Sequence, residues 1–162
     1  MSNDFYTYSI LPYAPIIIKI CRAYTDSQED YEDYYQEVCL QIWKSRANFK
    51  GNSKWSTWIY RISLNVCLTL LKKKNKSQHL ASEEKIAAEP EEPHYFSDRS
   101  LVVLYEAIKK LSEVDRAIIL LYLEEKSYQE ISEIIGTSPN NIGVRITRIK
   151  KRLKKLLDGK FD

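Results

Sequence analysis

The chain has 162 residues, 44% hydrophobic, 29% charged and 12% aromatic, a balance that suits one or two small globular domains and excludes disordered, collagenous and fibrous chains. Its net charge of +3 hides an uneven distribution: residues 1–37 carry two bases and seven acids, 38–82 nine bases and no acid, 83–133 six bases and thirteen acids, and 134–157 seven bases and no acid. Clustered Lys and Arg release counterions from phosphates, so two cationic blocks are the footprint of a nucleic-acid binder, although a pair of solvated basic faces would carry the same charge.

In chain order, apolar spacing predicts helices from about Pro12 to Ala23, from about Glu29 to Arg46, and from Trp55 to about Lys76, with a loop at Ala47–Lys54. Residues 77–97 bring two prolines and five glutamates with little periodicity and read as an acidic linker. Beyond it the pattern predicts a helix over Ser100–Leu111, one after Ser112, and a close pair beginning at Ser127 and Ser138. Ser127 with Glu130 fits a capping box, and Ser138 before Pro139 sets a cap and a first-turn proline in register. No window alternates apolar and polar residues as a strand does, and glycine is scarce at four residues. The expectation is all-α: two small helical domains, 1–76 and 98–162, joined by an acidic linker, the second containing a helix-turn-helix.

That motif lies in the last pair. Tyr128, Ile131, Ile134 and Ile135 mark the inner face of a short helix, Gly136-Thr137-Ser138 makes the turn, and Ile142, Ile146, Ile149, Leu153 and Leu156 run along the next. The stripe pins the second helix and leaves Asn140, Asn141, Arg145, Thr147, Arg148, Lys151 and Arg152 on polar surface. Asn and Arg can read adenine and guanine edges, and Lys151 and Arg152 suit phosphate. In the third helix, Arg61, Asn65, Thr69, Lys72 and Lys76 fall on one stripe beside an apolar face of Trp55, Ile59, Ile62, Val66 and Leu70. Phe49, Lys50 and Gly51 precede it. Aromatics among cations suit unstacked single-stranded bases, although tryptophans in such a run also serve as core, the role favoured for Trp55.

Other classes fit poorly. The longest apolar run, Ala117–Leu123, falls far short of the roughly 18 residues of a membrane span, and Met1–Tyr8 lacks the pattern of a secretory signal, so a cytoplasmic protein without membrane contact is expected. Cys21, Cys39 and Cys67 form no C-x-x-C pair and read as reduced thiols in apolar faces. His79 and His94 lie in the linker, and no phosphate loop, H-E-x-x-H or serine-nucleophile motif appears. Neither enzymatic activity nor a cofactor or metal is expected.

Three motifs in order resemble the bacterial RNA polymerase sigma factors of the small, two-domain extracytoplasmic-function type. Asp33-Tyr34-Tyr35-Gln36-Glu37-Val38 resembles the family's D-x-x-Q-E-hydrophobic motif. Phe49-Lys50-Gly51 followed by Trp55-Ser56-Thr57-Trp58-Ile59-Tyr60-Arg61-Ile62 and Asn65 resembles its F-[RK]-G and F-x-T-W-[LI]-[YF]-R-I signatures. Tyr128 to Gly136 resembles the opening of its helix-turn-helix, with Ser132 in place of alanine.

The resemblance implies a division of labour. Asp33, Gln36 and Glu37 would dock on the coiled-coil clamp of the largest subunit of core RNA polymerase, and the second domain would meet the flap of the second-largest subunit. Phe49, Asn65 and Thr69 would read flipped-out bases of the promoter's -10 element, with Lys50, Arg61 and Lys72, Lys73 and Lys74 beside them on DNA. Asn140, Asn141, Arg145, Thr147, Arg148 and Lys151 would face the -35 element. The linker would thread toward the active-site cleft and RNA exit path. An anti-sigma protein or another recruiting partner is compatible with the family. Two departures stand out: Thr69 replaces the Asp or Asn of many members, and Gly143-Val144 replaces a basic and a small polar residue before Arg145, which is expected to loosen the helix start and weaken -35 readout. The rival reading is a helix-turn-helix regulator acting without polymerase, which has no use for the first domain's motifs.

Overall fold

A computed structural model describes residues 2–80 and 98–160; the predicted linker beyond Leu80 lies outside the described residues. Seven α-helices carry the described chain: α1 Ala14–Ala23, α2 Gln28–Ser45, α3 Trp55–Leu80, α4 Arg99–Ile108, α5 Glu113–Leu123, α6 Tyr128–Ile135 and α7 Pro139–Leu157. A three-residue α turn at Asn3–Phe5, a π turn at Tyr6–Ile10 and a 3-10 turn at Leu11–Tyr13 precede α1, so helical backbone starts well before the predicted Pro12. Pro12 and Pro15 both fall in the opening positions of their turns, where the missing N–H costs nothing. Helix α3 runs on to Leu80, past the predicted end at Lys76.

The contacts divide the chain into two units. The first holds the described residues up to Asn48 and from Ile62 to Leu80; the second holds Phe49–Arg61 and the described residues from Asp98 on. The cut thus falls within α3.

The first unit is built on α1 and α2, packed against each other, with the later part of α3. Ile17, Ile20 and Cys21 of α1, Val38, Cys39 and Ile42 of α2, and Leu64 and Cys67 of α3 are buried together with Ile10. The three cysteines are free thiols, and the Cys67 Sγ lies 3.9 Å from that of Cys21. Ser27 caps α2, its hydroxyl accepting from the Asp30 amide at 3.1 Å.

In the second unit α7 packs against α4, α5 and α6. The starts at Ser127 and Ser138 are made by the expected hydroxyls, which accept from the amides of Glu130 and Asn141 at 3.1 and 3.2 Å, and Ser112 caps α5 in the same way, accepting from the Asp115 amide at 3.2 Å. Gly136 closes α6 in the left-handed conformation at φ 89°, its amide donating to the Ser132 carbonyl at 2.8 Å. Ile142, Ile146, Ile149 and Leu153 are buried, as their spacing requires, over Ile131 and Ile134. Ser132, which stands where the resembled motif has alanine, is buried, and its hydroxyl donates to the Gln129 carbonyl at 2.7 Å, so the extra polar atom is satisfied locally.

Candidate nucleic-acid interface

In the first unit, α2 and α3 leave a groove of about 380 Å³ between them. Asn65, Thr69 and Lys73, four residues apart, line it from α3 together with the apolar Val66 and Leu70, and Glu37 and Gln41 line it from α2. The carboxylate of Glu37 accepts from the Gln41 side-chain amide at 2.9 Å. Apolar walls with amide, hydroxyl, carboxylate and ammonium groups at the edge provide flat surface for a ring and donors and acceptors for its rim.

The other residues of this stripe have different settings. Lys72 and Lys73 are exposed, but Lys74 reaches α2 and forms an ion pair with Asp30 at 2.6 Å, half-buried on both sides. The sequence places Lys74 with its neighbours in a cationic run, and only the tertiary fold shows that the third lysine turns toward Asp30 of α2.

Asp33 and Gln36 are exposed on α2, while Glu37 is half-buried at the groove. The polar face expected to dock a partner therefore adjoins the groove, with Glu37 at the boundary. Behind it, Tyr35 and Tyr6 share a hydrogen bond between their hydroxyls at 2.8 Å. Burial, with that bond second, pushes the Tyr35 phenol upward.

Phe49–Arg61 belongs to the second unit. Phe49 packs edge-on to Trp55 with ring centroids 5.1 Å apart and tilted on Trp58 at 5.5 Å; Trp55 and Trp58 stack at 4.9 Å. All three rings are half-buried, so Phe49 is fixed by its neighbours while keeping part of its surface open. Trp55, expected in the core, takes part in this cluster instead. Lys50 is exposed. Arg61 is not on open surface: its guanidinium donates to the Glu133 carbonyl of α6.

On α7, Asn140, Asn141, Thr147, Arg148 and Lys151 are exposed and Arg145 is half-buried. The Thr147 hydroxyl donates to the Gly143 carbonyl at 3.1 Å. Arg152, read as a phosphate contact, donates to the Lys110 carbonyl at 3.1 Å. Lys150 donates to the Tyr122 hydroxyl at 2.6 Å, and that bond raises its ammonium pKa. The helix continues unbroken through Gly143, and the Tyr128 ring of α6 lies over that glycine. Val144, which the sequence marks with Gly143 only as a departure from the resembled motif, is 52% exposed on the outward face; the signal for that exposure is an apolar residue out of phase with the buried stripe.

The Sigma-70 region 2 family model matches residues 10–77 and the Sigma-70 region 4 model residues 101–153. The chain is 30% identical over 135 residues to the RNA polymerase sigma factor SigZ of Bacillus subtilis, covering 83% of this chain and 76% of that protein. The chain belongs to the RNA polymerase sigma factors. It is also 27% identical over 158 residues to the extracytoplasmic-function sigma factor SigW of Bacillus subtilis, covering 90% of this chain and 84% of SigW. Against SigG of Mycobacterium tuberculosis it is 29% identical over 171 residues and spans 46% of that longer protein. Its fold is that of the sigma factor RpoE of Bartonella quintana, solved with the anti-sigma factor NepR, at a TM-score of 0.79 and 21% identity, covering 98% of this chain and 99% of that one. CnrH, solved with the cytosolic domain of CnrY, matches at a TM-score of 0.70 and 18% identity, covering 97% and 90%. This sigma factor thus has region 2 and region 4 in the order the sequence motifs imply. Among its described residues no helix is long and apolar enough to cross a membrane.

Proposed function

We propose that this sigma factor docks on the clamp of core RNA polymerase through Asp33, Gln36 and Glu37, captures unstacked -10 bases with Phe49, Asn65 and Thr69, and presents α7 to duplex DNA of the -35 element. The convergence of Asn65, Thr69 and Lys73 on one groove carries this reading, because a bare basic stripe would give charge without a place for a base. Lys72 and Lys73 hold the backbone beside it, and Lys50 is a further contact to DNA; Lys74 is engaged by Asp30 and Arg61 by Glu133, so their share in DNA binding is smaller than their position in the sequence implies. On α7 the exposed Asn140, Asn141, Thr147, Arg148 and Lys151, with Arg145, form the duplex-facing side. Region 4 meets the polymerase flap.

The protein acts in the cytoplasm with the polymerase and performs no catalysis of its own. RpoE, of like fold, is in complex with the anti-sigma factor NepR, and CnrH with the cytosolic domain of CnrY, which supports a protein partner of the inhibitory kind here.

The test separates docking from DNA contact. Asp33→Lys, on an exposed residue outside the groove, is expected to abolish association with core polymerase in a gel-filtration or anisotropy assay while the helical circular-dichroism signal stays unchanged. Retained association would remove the docking assignment. Glu37→Lys is less clean, since it also puts a cation beside Asn65 and Thr69.

A further inference from the structure

Helix α7 carries seven bases and no acid between residues 134 and 157, and its buried stripe is Ile142, Ile146, Ile149 and Leu153. At about 100° per residue, Val144 lies roughly 200° round from Ile142, at the centre of the opposite face. Asn140 precedes it by one turn and Thr147, Arg148 and Lys151 follow it, all exposed. Val144 is 52% exposed within this polar, cationic ring, in the second turn of the helix. A β-branched residue there favours helix less than Ala, Lys, Arg or Gln would, and it contributes no charge toward phosphate. Gly143 beside it lies under the Tyr128 ring, whereas Val144 is open on the outward face.

We propose that Val144 is a specificity residue whose isopropyl group packs on the C5-methyl of a thymine in the major groove. Charge selects the occupant: a face with this many cations and no acid fits a polyanion, and the thymine methyl is the apolar feature that a DNA major groove offers. Asn140 and Arg148 flank Val144 by one turn on either side, so the methyl contact sits between groups able to read base edges. The inference deepens the reading of α7 as the duplex-facing helix and rests on it.

The experiment uses full-length protein with core polymerase on a promoter selected from a library randomised upstream of the start site. Each upstream thymine is replaced singly by uracil, which removes only the methyl, and initiation is measured for the wild type, Val144→Ala and Val144→Thr. Burying one methyl is worth roughly threefold to fourfold. At one position, the wild type is expected to lose about that factor on uracil, Val144→Ala to show no difference between thymine and uracil, and Val144→Thr, which keeps one methyl, to fall between. Such a cycle isolates the pair. A uracil effect of the same size in Val144→Ala would overturn the proposal, since the methyl would then act through another group or through DNA stiffness. No uracil effect anywhere, while upstream base-pair changes still alter initiation, would overturn the Val144 assignment and leave the duplex-facing role of α7 standing. Indifference to every upstream change would overturn both.

Discussion

The Tyr128 ring of α6 lies over the backbone of Gly143 on α7, so that a Cβ at that glycine would sit 3.4 Å from Cε2. This is ordinary contact distance, and the helical backbone at Gly143 is open to any L-residue. Gly143→Ala is therefore expected to stabilise the protein by about 0.5–1 kcal/mol through helix propensity. Gly136, at φ 89° with nothing within 4 Å of its missing Cβ, is the opposite case: Gly136→Ala is expected to destabilise by roughly 1–2 kcal/mol, the cost of left-handed backbone. Urea unfolding of the two variants checks the contrast. Gly143→Arg adds a cation near the duplex-facing side and is expected to tighten duplex binding, with a salt slope steeper by about 0.9.

Lys72, Lys73 and Lys74 are equivalent in sequence and unequal in the fold. Lys72→Ala and Lys73→Ala are each expected to shallow the salt dependence of single-stranded DNA binding by about 0.7. Lys74→Ala is expected to change it less, because its ammonium is held by Asp30. Equal slopes for all three would show that the Asp30 pair opens on binding.

Phe49→Ala and Asn65→Ala are expected to reduce open-complex formation more than closed-complex formation, by roughly 1–3 kcal/mol for the aromatic. Phe49 also packs on Trp55 and Trp58, so its loss is expected to lower stability as well, by less than the roughly 3–5 kcal/mol of a fully buried Phe. Asn65 is exposed, and its variant should melt like the wild type. Equal losses in both complexes would assign these residues a structural role.

Burial pushes the Tyr34 phenol up to about 12 and the Cys39 thiol up to about 11. The Tyr35 phenol and the Cys67 thiol are also raised, the first by burial and the second chiefly by its contact with Cys21. In the unfolded chain these groups lose protons near pH 9 to 10, and the folded state holds them to higher pH. Their contribution to stability is complete below about pH 9 and is lost as pH rises through 11 to 12. The urea midpoint is expected to be lower at pH 10.5 than at pH 8; an unchanged midpoint would contradict the burial of this tyrosine and cysteine cluster.

Local chemistry made much of this fold legible. Ser112, Ser127, Ser138 and Gly136 mark their helix ends because capping depends on neighbours a few residues away, and the spacing of Ile142, Ile146 and Ile149 marks a buried stripe. The opening turns before α1 were not legible, because Pro12 and Pro15 interrupt the pattern that identifies a helix. Nor were the tertiary partners of the cations: nothing near Lys74, Arg61 or Arg152 in sequence announces Asp30, Glu133 or Lys110. At Val144 the sequence shows a missing charge, whereas exposure at the centre of a face emerges only once the helix is packed.

A sigma factor makes core polymerase promoter-selective, and the proposed function divides the reading of the -10 and -35 elements between regions 2 and 4. Transcription in vitro by the host core enzyme from a library of random promoters, with and without the protein, tests it most directly. Start sites are expected to depend on the protein and to share two short sequence blocks upstream, the proximal one lost in the Asn65→Ala variant. Transcripts that are unchanged by the protein, or start sites with no shared upstream sequence, would contradict it.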